Sequence, residues 1–212
     1  MEFKTLQTSV ARIFADARAS HDSEHTERVL RLAEHIAGKE HADMAVVRYA
    51  ALLHDIARHE EDRHKGRISH AQLGAERAAK MLLRLKYPAE FINAVTHCIR
   101  SHRYRAGGST PRTIEAKVLY DADKLDAIGA VGIGRAFQFA GEVGAKLHDP
   151  NADIARTKAY TEEDTAYREY MVKLRFIKDR LYTKTARTMA KRRHRFMTDF
   201  FRELSKEWRG HQ

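Results

Sequence analysis

The sequence contains little of what disulfide-stabilised, loop-rich or membrane-spanning proteins need. Its 212 residues include one cysteine, three prolines and eleven glycines. The single cysteine, Cys98, excludes an internal disulfide and a cysteine-based zinc site, and it agrees with a reducing compartment. Because no apolar stretch is long enough for a membrane span or a signal peptide, we expect a cytoplasmic protein.

Helix formers and a helical period dominate what is present. Hydrophobic residues make up 43% of the chain and charged residues 32%. Apolar side chains recur every three or four positions, as in Val29, Leu32, Ala33 and Ile36, whereas alternating strand patterns are scarce. Residues 95–105 are the one ambiguous segment, and a helix fits them better. The sequence therefore predicts an all-α fold.

Breaks between helices are predicted where glycine, proline or polar clusters interrupt the period. Ser69 and Thr113 are suited to begin the helices that follow them. After the last break, one long helical region is expected from about Thr165 to the end. The predicted breaks lie at Gly38-Lys39, residues 60–67, Tyr87-Pro88, residues 105–112 and residues 148–164.

The charge is strongly basic, with 39 lysines and arginines against 29 acidic residues and a formal net charge of +10. This excess favours anionic partners such as nucleotides or nucleic acid. Much of it lies in KTARTMAKRRHRF, residues 184–196, where apolar positions keep the helical spacing. We interpret this run as a packed helix with a solvated basic face, and a nucleic-acid patch is the alternative.

Three segments carry side chains that bind first-row metals. In AALLHDIAR, His54 and Asp55 end an apolar run, which indicates either a helix reaching the surface or a pair of ligands. In SHDSEHTERV, His21 and His25 are four residues apart and share a helical face. In KVLYDADKLDAIGAVG, three aspartates interrupt an apolar helix: Asp121, Asp123 and Asp126.

Together these segments resemble the H…HD…D signature of the HD-domain metal-dependent phosphohydrolases. HDSEHTERV is similar to the family's DxxHxxRV, and DADKLDAIGAVG to the DADxLDA-G block of its small, free-standing bacterial and archaeal members. The C-terminal run, residues 173–210, is also similar to that subgroup. The resemblance implies a single helical HD domain over residues 1–212, with a metal-site core at about 18–140 and a helical extension at about 165–210.

The resemblance also implies a site that holds one divalent ion, of manganese, nickel, cobalt, magnesium, iron or zinc. Asp121 would then support or cap its neighbours and Asp22 would orient His25. Arg28 would form a structural ion pair, with substrate contact as its alternative. The implied metal ligands are His25, His54, Asp55 and Asp123.

Two-metal relatives carry further histidines after the HD pair, and His70 and His102 match those segments. We expect them to contact a substrate phosphate or support the ligands, and a second ion is the alternative; His97 is assigned a structural role.

The nucleotidase branch has a glutamate four residues after the HD histidine, where this chain has Arg58. A guanidinium cannot accept a proton, so Arg58 suits phosphate contact better than base catalysis.

The reaction implied is hydrolysis of a phosphate ester or anhydride, with a nucleotide as the expected small anionic substrate. Lys124 and Arg58 are candidates to neutralise phosphate charge. Asp126 would take a proton or hold a sugar hydroxyl, and a hydrogen bond between helices is its alternative. Gly129, Gly132 and Gly134 are expected to let two helices approach closely.

A different class of function is a metal-binding regulatory or nucleic-acid-binding module with little turnover. Neither the sequence nor the resemblance distinguishes a monomer from a homodimer, and no membrane partner is expected.

Overall fold

The structure is a computed structural model, and it describes residues 2–13, 23–64, 67–103 and 109–211. These residues form α-helices and one 3-10 helix, and no strand occurs among them, which confirms the all-α prediction. None of the helices in these ranges combines the length and apolarity needed to cross a bilayer. The helices are α1 (Glu2–Ile13), α2 (Ser23–Glu40), α3 (Met44–Leu53), α4 (Arg58–Arg63), α5 (His70–Arg84), α6 (Ala89–Ser101), α7 (Ile114–Asp126), α8 (Gly129–Glu142), α9 (Ala166–Val172), the 3-10 helix (Leu174–Asp179) and α10 (Lys184–Trp208).

The chain divides into two compact units. The first comprises Met1–Asp123 and Tyr182–Thr185, and the second comprises Lys124–Leu181 and Ala186–Gln212. In the first unit α3 is the central helix, since seven of its ten residues are buried. It packs against α2 and α6, and α5 packs against α6.

Local signals place the helix starts of the first unit. Ser69 Oγ accepts a hydrogen bond from the Gln72 amide, and Thr113 Oγ1 accepts one from the Ala116 amide, so both predicted caps are confirmed. The predicted break at Gly38-Lys39 lies two residues early, because α2 continues to Glu40. The polar segment 60–67 was predicted as a break, but its first four residues, 60–63, belong to α4. Because its charged residues are good helix formers, they allow a short helix.

The C-terminal region differs from the single long helix predicted from Thr165 onward. It contains α9, the 3-10 helix and α10, and the chain leaves the helical conformation between Arg180 and Thr183. The buried Asp121 carboxylate accepts hydrogen bonds from the amides of Tyr182 and Thr183 and from the Thr183 hydroxyl. The break therefore lies where the backbone turns to satisfy a buried carboxylate.

The second unit contains α8, α9, the 3-10 helix and most of α10, with Met197 and Phe201 of α10 in its core. Gly129 begins α8 with φ of 84°, and a Cβ there would lie 2.9 Å from Cγ of Arg193. This residue therefore allows the close approach of helices that the sequence predicted. At Gly132 the tight contact is with the Ala127 carbonyl, whereas no described atom lies within 4 Å of a Cβ at Gly134.

Candidate metal centre

The HD pair lies at the end of α3, where the chain is still inside the core. His54 is the C-cap residue and is fully buried, and Asp55 is 6% exposed. Helix α5 packs closely against this pair. A Cβ atom added at Gly74 of α5 would lie 3.4 Å from the carbonyl oxygen of His54. The apolar run Ala50–Leu53 is core, so the two polar residues face inward rather than reaching the surface.

One cluster of ligand atoms joins α2, α3 and α7. His25 Nε2 lies 3.4 Å from His54 Nε2 and 3.5 Å from Asp123 Oδ1. Asp55 Oδ2 lies 3.8 Å from the first of these nitrogens and 3.6 Å from the second. Four such atoms placed about 2.1 Å from a tetrahedral ion lie roughly 3.4 Å from one another, so the spacing fits a first-row cation. We call this set the first cluster.

A second cluster uses the other oxygen of the same carboxylate. Asp55 Oδ1 lies 3.2 Å from His70 Nε2 and 3.5 Å from His102 Nε2, and these two nitrogens are 3.0 Å apart. All three side chains are buried. Asp55 therefore has one oxygen facing each cluster, the arrangement of a carboxylate that is shared between two cationic groups.

The protonated ring nitrogen of two histidines is fixed by backbone carbonyls. Nδ1 of His54 lies 2.8 Å from the Ala51 oxygen, and Nδ1 of His102 lies 2.6 Å from the Ile99 oxygen. Each histidine caps the C-terminus of its helix and reaches a carbonyl three residues earlier. Since a carbonyl only accepts, Nδ1 carries the hydrogen and Nε2 of a neutral ring presents its lone pair to the clusters.

Glu61 has the same role for His70. Its Oε2 lies 2.5 Å from His70 Nδ1 and 3.0 Å from the His70 amide, while Oε1 accepts from Arg103. Burial would raise the pKa of Glu61, but hydrogen bonds from Arg103 and His70 lower it to about 2. Glu61 is therefore ionised, and it holds the His70 ring with Nε2 toward Asp55.

Burial and charge set the protonation states that ligands need. Burial lowers the pKa of His54, which favours its neutral form. Burial would raise the pKa of Asp55, but the neighbouring imidazoles of His54, His102 and His70 act in the opposite direction and hold it well below its usual range. Two unprotonated Nε2 atoms 3.0 Å apart, as in His70 and His102, repel each other unless a cation or a proton lies between them.

Comparison with known proteins identifies the family. The HD-domain profile matches residues 22–128, which include every residue of both clusters. The chain belongs to the HD-domain family. It is 36% identical over 208 residues to the uncharacterized protein YpgQ of Bacillus subtilis, with 97% of this chain and 93% of YpgQ covered.

Solved structures of HD-domain proteins have the same fold. A crystal structure of B. subtilis YpgQ in complex with ADP has a TM-score of 0.74 at 33% identity, with 97% of each chain covered. An HD-superfamily hydrolase from Bacillus thuringiensis has a TM-score of 0.75 at 29% identity, covering 98% of this chain and 97% of the other. A predicted HD-superfamily hydrolase from an uncultured Thermotogales bacterium has a TM-score of 0.69 at 32% identity, covering 97% and 92%.

The sequence singled out four other residues: His21, Asp22, Arg28 and His97. Arg28 Nη1 lies 3.5 Å from Glu24 Oε2, in an ion pair across one turn of α2. The His97 ring accepts a hydrogen bond from the Arg112 amide, which agrees with its structural role. His21 and Asp22 lie outside the described residues.

Besides His70 and His102, three residues were predicted for catalysis or phosphate contact: Arg58, Lys124 and Asp126. Arg58 Nη1 lies 3.5 Å from His70 Nδ1, beside the second cluster. Asp126 is buried and accepts a hydrogen bond of 2.9 Å from Arg135, the helix-to-helix contact that was its alternative. Lys124 follows Asp123 on α7 and is half-buried.

Glu61 and Arg103 were missed as site residues. Glu61 lies seven residues after His54, a spacing of two helical turns, and Arg103 directly follows His102. A carboxylate two turns after the HD histidine was the available signal. It carried little weight among the neighbouring charged residues, because nothing in the sequence indicates that α4 turns Glu61 inward.

Proposed function

We propose that this HD-domain protein is a divalent-metal-dependent phosphohydrolase acting on nucleotide phosphate esters or anhydrides. The observation that carries the proposal is the position of Asp55, with one carboxylate oxygen facing each of two ligand clusters. The hydrolase class is supported by the HD-superfamily hydrolases of the same fold. The nucleotide substrate is supported by the complex of YpgQ with ADP.

The first cluster would hold the principal ion through His25, His54, Asp55 and Asp123. Such an ion supplies Lewis acidity toward a phosphoryl oxygen and lowers the pKa of a water beside it. The second cluster offers three ligand atoms, one of them on the shared Asp55, so we expect it to bind a second cation more weakly. A substrate phosphate at His70 and His102 is the alternative.

The side chains around the clusters would handle phosphate charge. Arg58 has a guanidinium next to His70, and this positive charge suits the oxygens of a transferred phosphoryl group. Lys124 is proposed for the same task at the neighbouring end of α7. Asp126 is kept as a candidate proton acceptor, although its hydrogen bond to Arg135 favours a structural role.

A direct test combines metal content with product release. The protein is stripped of metal and reloaded with Mn²⁺, Ni²⁺, Co²⁺, Mg²⁺, Fe²⁺ or Zn²⁺, and phosphate and pyrophosphate are measured with nucleoside mono-, di- and triphosphates. We expect release with at least one ion. His25→Ala should abolish both activity and tight metal binding, since it removes one ligand of the first cluster.

The matched control is His35→Ala, which changes an exposed histidine on the same helix and should leave both properties unchanged. If the loaded wild-type protein releases nothing from any of these nucleotides or from a phosphomonoester such as p-nitrophenyl phosphate, the proposal is wrong. Metal binding that survives His25→Ala would contradict the assignment of the first cluster.

A further inference from the structure

Basic charge is concentrated in one short part of the chain. Residues 173–198 contain ten lysines and arginines and a single acidic residue, Asp179, which gives this segment a net charge of +9. The whole chain has a net charge of +10. The rest of the molecule is therefore close to neutral, and the basic character belongs to the region of the 3-10 helix and the first half of α10.

Four cations in the N-terminal half of α10 are exposed, although Nε of Arg187 also donates a hydrogen bond to the Leu181 carbonyl. Arg187, Lys191, Arg192 and Arg195 are all exposed, and among the described residues no carboxylate lies within 4 Å of any of these four. Farther along the same helix, Arg202 pairs with Asp199 and Lys206 pairs with Glu203. The C-terminal half of the helix is thus paired, whereas these four cations of its N-terminal half have no ion-pair partner among the described residues.

The helical spacing arranges these cations along one face. Arg187, Lys191 and Arg195 follow one another at intervals of four residues, which places them about 6 Å apart along the axis on neighbouring turns. The buried Ala186, Ala190 and Met197 form the core side of the helix; Lys191 and Arg195 lie away from it and Arg187 lies at its border. The packing of these buried residues therefore keeps the three cations outward.

The 3-10 helix adds positive charge beside this face. Burial, and after it the nearby charge of Lys178, lowers the pKa of His194, and Arg175 acts in the same direction. Asp179 pairs with Lys178 and offsets its charge. We use the name basic face for the surface formed by Arg187, Lys191, Arg192 and Arg195 of α10.

Two large aromatic side chains lie exposed in the same region. Phe196 is 51% exposed and is four residues from Arg192, so the two are neighbours on the helix surface. Phe176 of the 3-10 helix is 40% exposed, and the Arg175 guanidinium lies 5.1 Å from the centre of its ring. Exposed aromatic rings next to cations are what stacked bases of single-stranded nucleic acid contact.

We infer that the basic face of α10, together with Phe196 at its edge, binds single-stranded nucleic acid. The cations contact successive phosphates and the ring provides a surface on which a base stacks. Charge complementarity alone would also suit an anionic membrane. The short spacing of the cations along one helix and the presence of a flat aromatic ring at their edge favour a strand with bases.

The binding does not depend on the proposed hydrolysis. The basic face belongs to the second unit, whereas every residue of the two metal clusters belongs to the first. His54→Ala is therefore expected to bind nucleic acid as the wild type does. Failure of the hydrolase proposal would leave this inference intact, and the reverse also holds.

The test is fluorescence anisotropy of a labelled 20-nucleotide poly(U) strand with the full-length protein at increasing salt. Four phosphate contacts on a single strand give a slope of about −2.8 in log affinity against log salt, or about a 50-fold loss between 50 and 200 mM. The double variant Lys191→Glu/Arg195→Glu is expected to weaken binding at least about tenfold at 50 mM salt and to make the slope shallower. Phe196→Ala is expected to weaken binding at least about fivefold without changing the slope.

The matched control is Lys80→Glu/Arg84→Glu, which reverses two exposed cations at the same four-residue spacing on α5. It changes the net charge of the protein by the same amount, so it should reduce affinity far less if the basic face is the contact surface. Circular dichroism and thermal unfolding of both double variants establish that they fold alike.

Several results would overturn the inference. One is the absence of wild-type binding at 50 mM salt, and another is an equal loss of affinity in the two double variants, which would reduce the effect to net charge. If the protein sediments with phosphatidylserine-containing vesicles but does not bind the oligonucleotide, the basic face is a membrane-binding surface instead. Full competition by heparin combined with no effect of Phe196→Ala would leave a general polyanion surface without base contact.

Discussion

Oε2 of Glu61 lies 2.5 Å from Nδ1 of His70, and this contact determines which ring nitrogen faces Asp55. Nδ1 of His54 and of His102 instead contacts a backbone carbonyl. A carboxylate partner makes the ring a stronger electron donor than a carbonyl does. The second cluster is thus supported by a charge that sequence patterns did not reveal.

Glu61→Gln is expected to weaken the second cation site by about 10- to 100-fold and to leave the first site unchanged. The amide keeps the shape of the side chain but loses the charge shared by His70 and Arg103. Metal titration followed by isothermal calorimetry or by atomic emission would measure both sites. Glu60→Gln is the control, because that neighbouring carboxylate pairs with Arg77. Equal effects of the two variants would remove Glu61 from the metal centre.

His102→Ala is expected to lower the number of ions bound at saturation from two to one while keeping the tight site. The variant removes a ligand of the second cluster only, since His102 contacts Asp55 through Oδ1. His25→Ala should instead remove the tight ion. Equilibrium dialysis with Mn²⁺ counts the ions in each case. If wild-type protein binds a single ion even at millimolar Mn²⁺, the second cluster is a phosphate or supporting site, as the sequence suggested.

The sequence predicted more of the metal centre than of the surrounding architecture. Fold class, the start of α5 at Ser69 and the start of α7 at Thr113 followed from periodicity and capping chemistry, which are local. His25, His54, Asp55 and Asp123 followed from the family resemblance, and the structure brings their ligand atoms together. Their convergence depends on contacts between helices distant in the chain, which no local pattern encodes.

The interruption before α10 and the role of Glu61 were not predictable in the same way. The segment around Tyr182 has helical periodicity, and it turns because the Asp121 carboxylate, 61 residues earlier, accepts its backbone amide. Glu61 lies among charged residues in the short helix α4. The packing of α4 against α5 determines which of these residues faces inward. In both cases a tertiary hydrogen bond to a buried carboxylate overrides local preference.

Asp126→Asn distinguishes the two roles that the sequence left open for this residue. Asp126 is 1% exposed and accepts from Arg135, so loss of its charge is expected to lower the free energy of unfolding by about 2 kcal/mol. Denaturant unfolding measures this change, and steady-state kinetics with the active metal measures kcat. A structural role leaves kcat within a few-fold of wild type.

The control for Asp126→Asn is a double-mutant cycle with Arg135→Gln. If the pair is structural, the two substitutions are strongly non-additive in stability. A loss of kcat by several orders of magnitude in Asp126→Asn, with additive effects on stability, would instead favour the proton-accepting role.

His148 is expected to make stability depend on pH. It is 3% exposed, and its Nε2 lies 2.9 Å from Ser205 Oγ, whose own hydrogen goes to the Phe201 carbonyl. Nε2 therefore carries the ring hydrogen, and Nδ1 is buried without a hydrogen-bond partner among the described residues. Burial lowers the pKa of His148 below its ordinary value of 6.5, with Arg209 acting in the same direction and Asp149 against it.

Because the folded state binds the proton of His148 more weakly than the unfolded state, its contribution to stability is complete above pH 6.5 and is lost as the pH falls below that value. The free energy of unfolding of His148→Gln should therefore decline less between pH 7.5 and 5.5 than that of the wild type, measured by urea denaturation in the presence of a chelator. Glutamine can still donate to Ser205 but does not titrate. His211→Gln, an exposed histidine in the same unit, is the control. Parallel curves for wild type and His148→Gln would show that protonation of Nδ1 costs the folded state nothing, and that the ring is solvated or rearranges when it gains a proton.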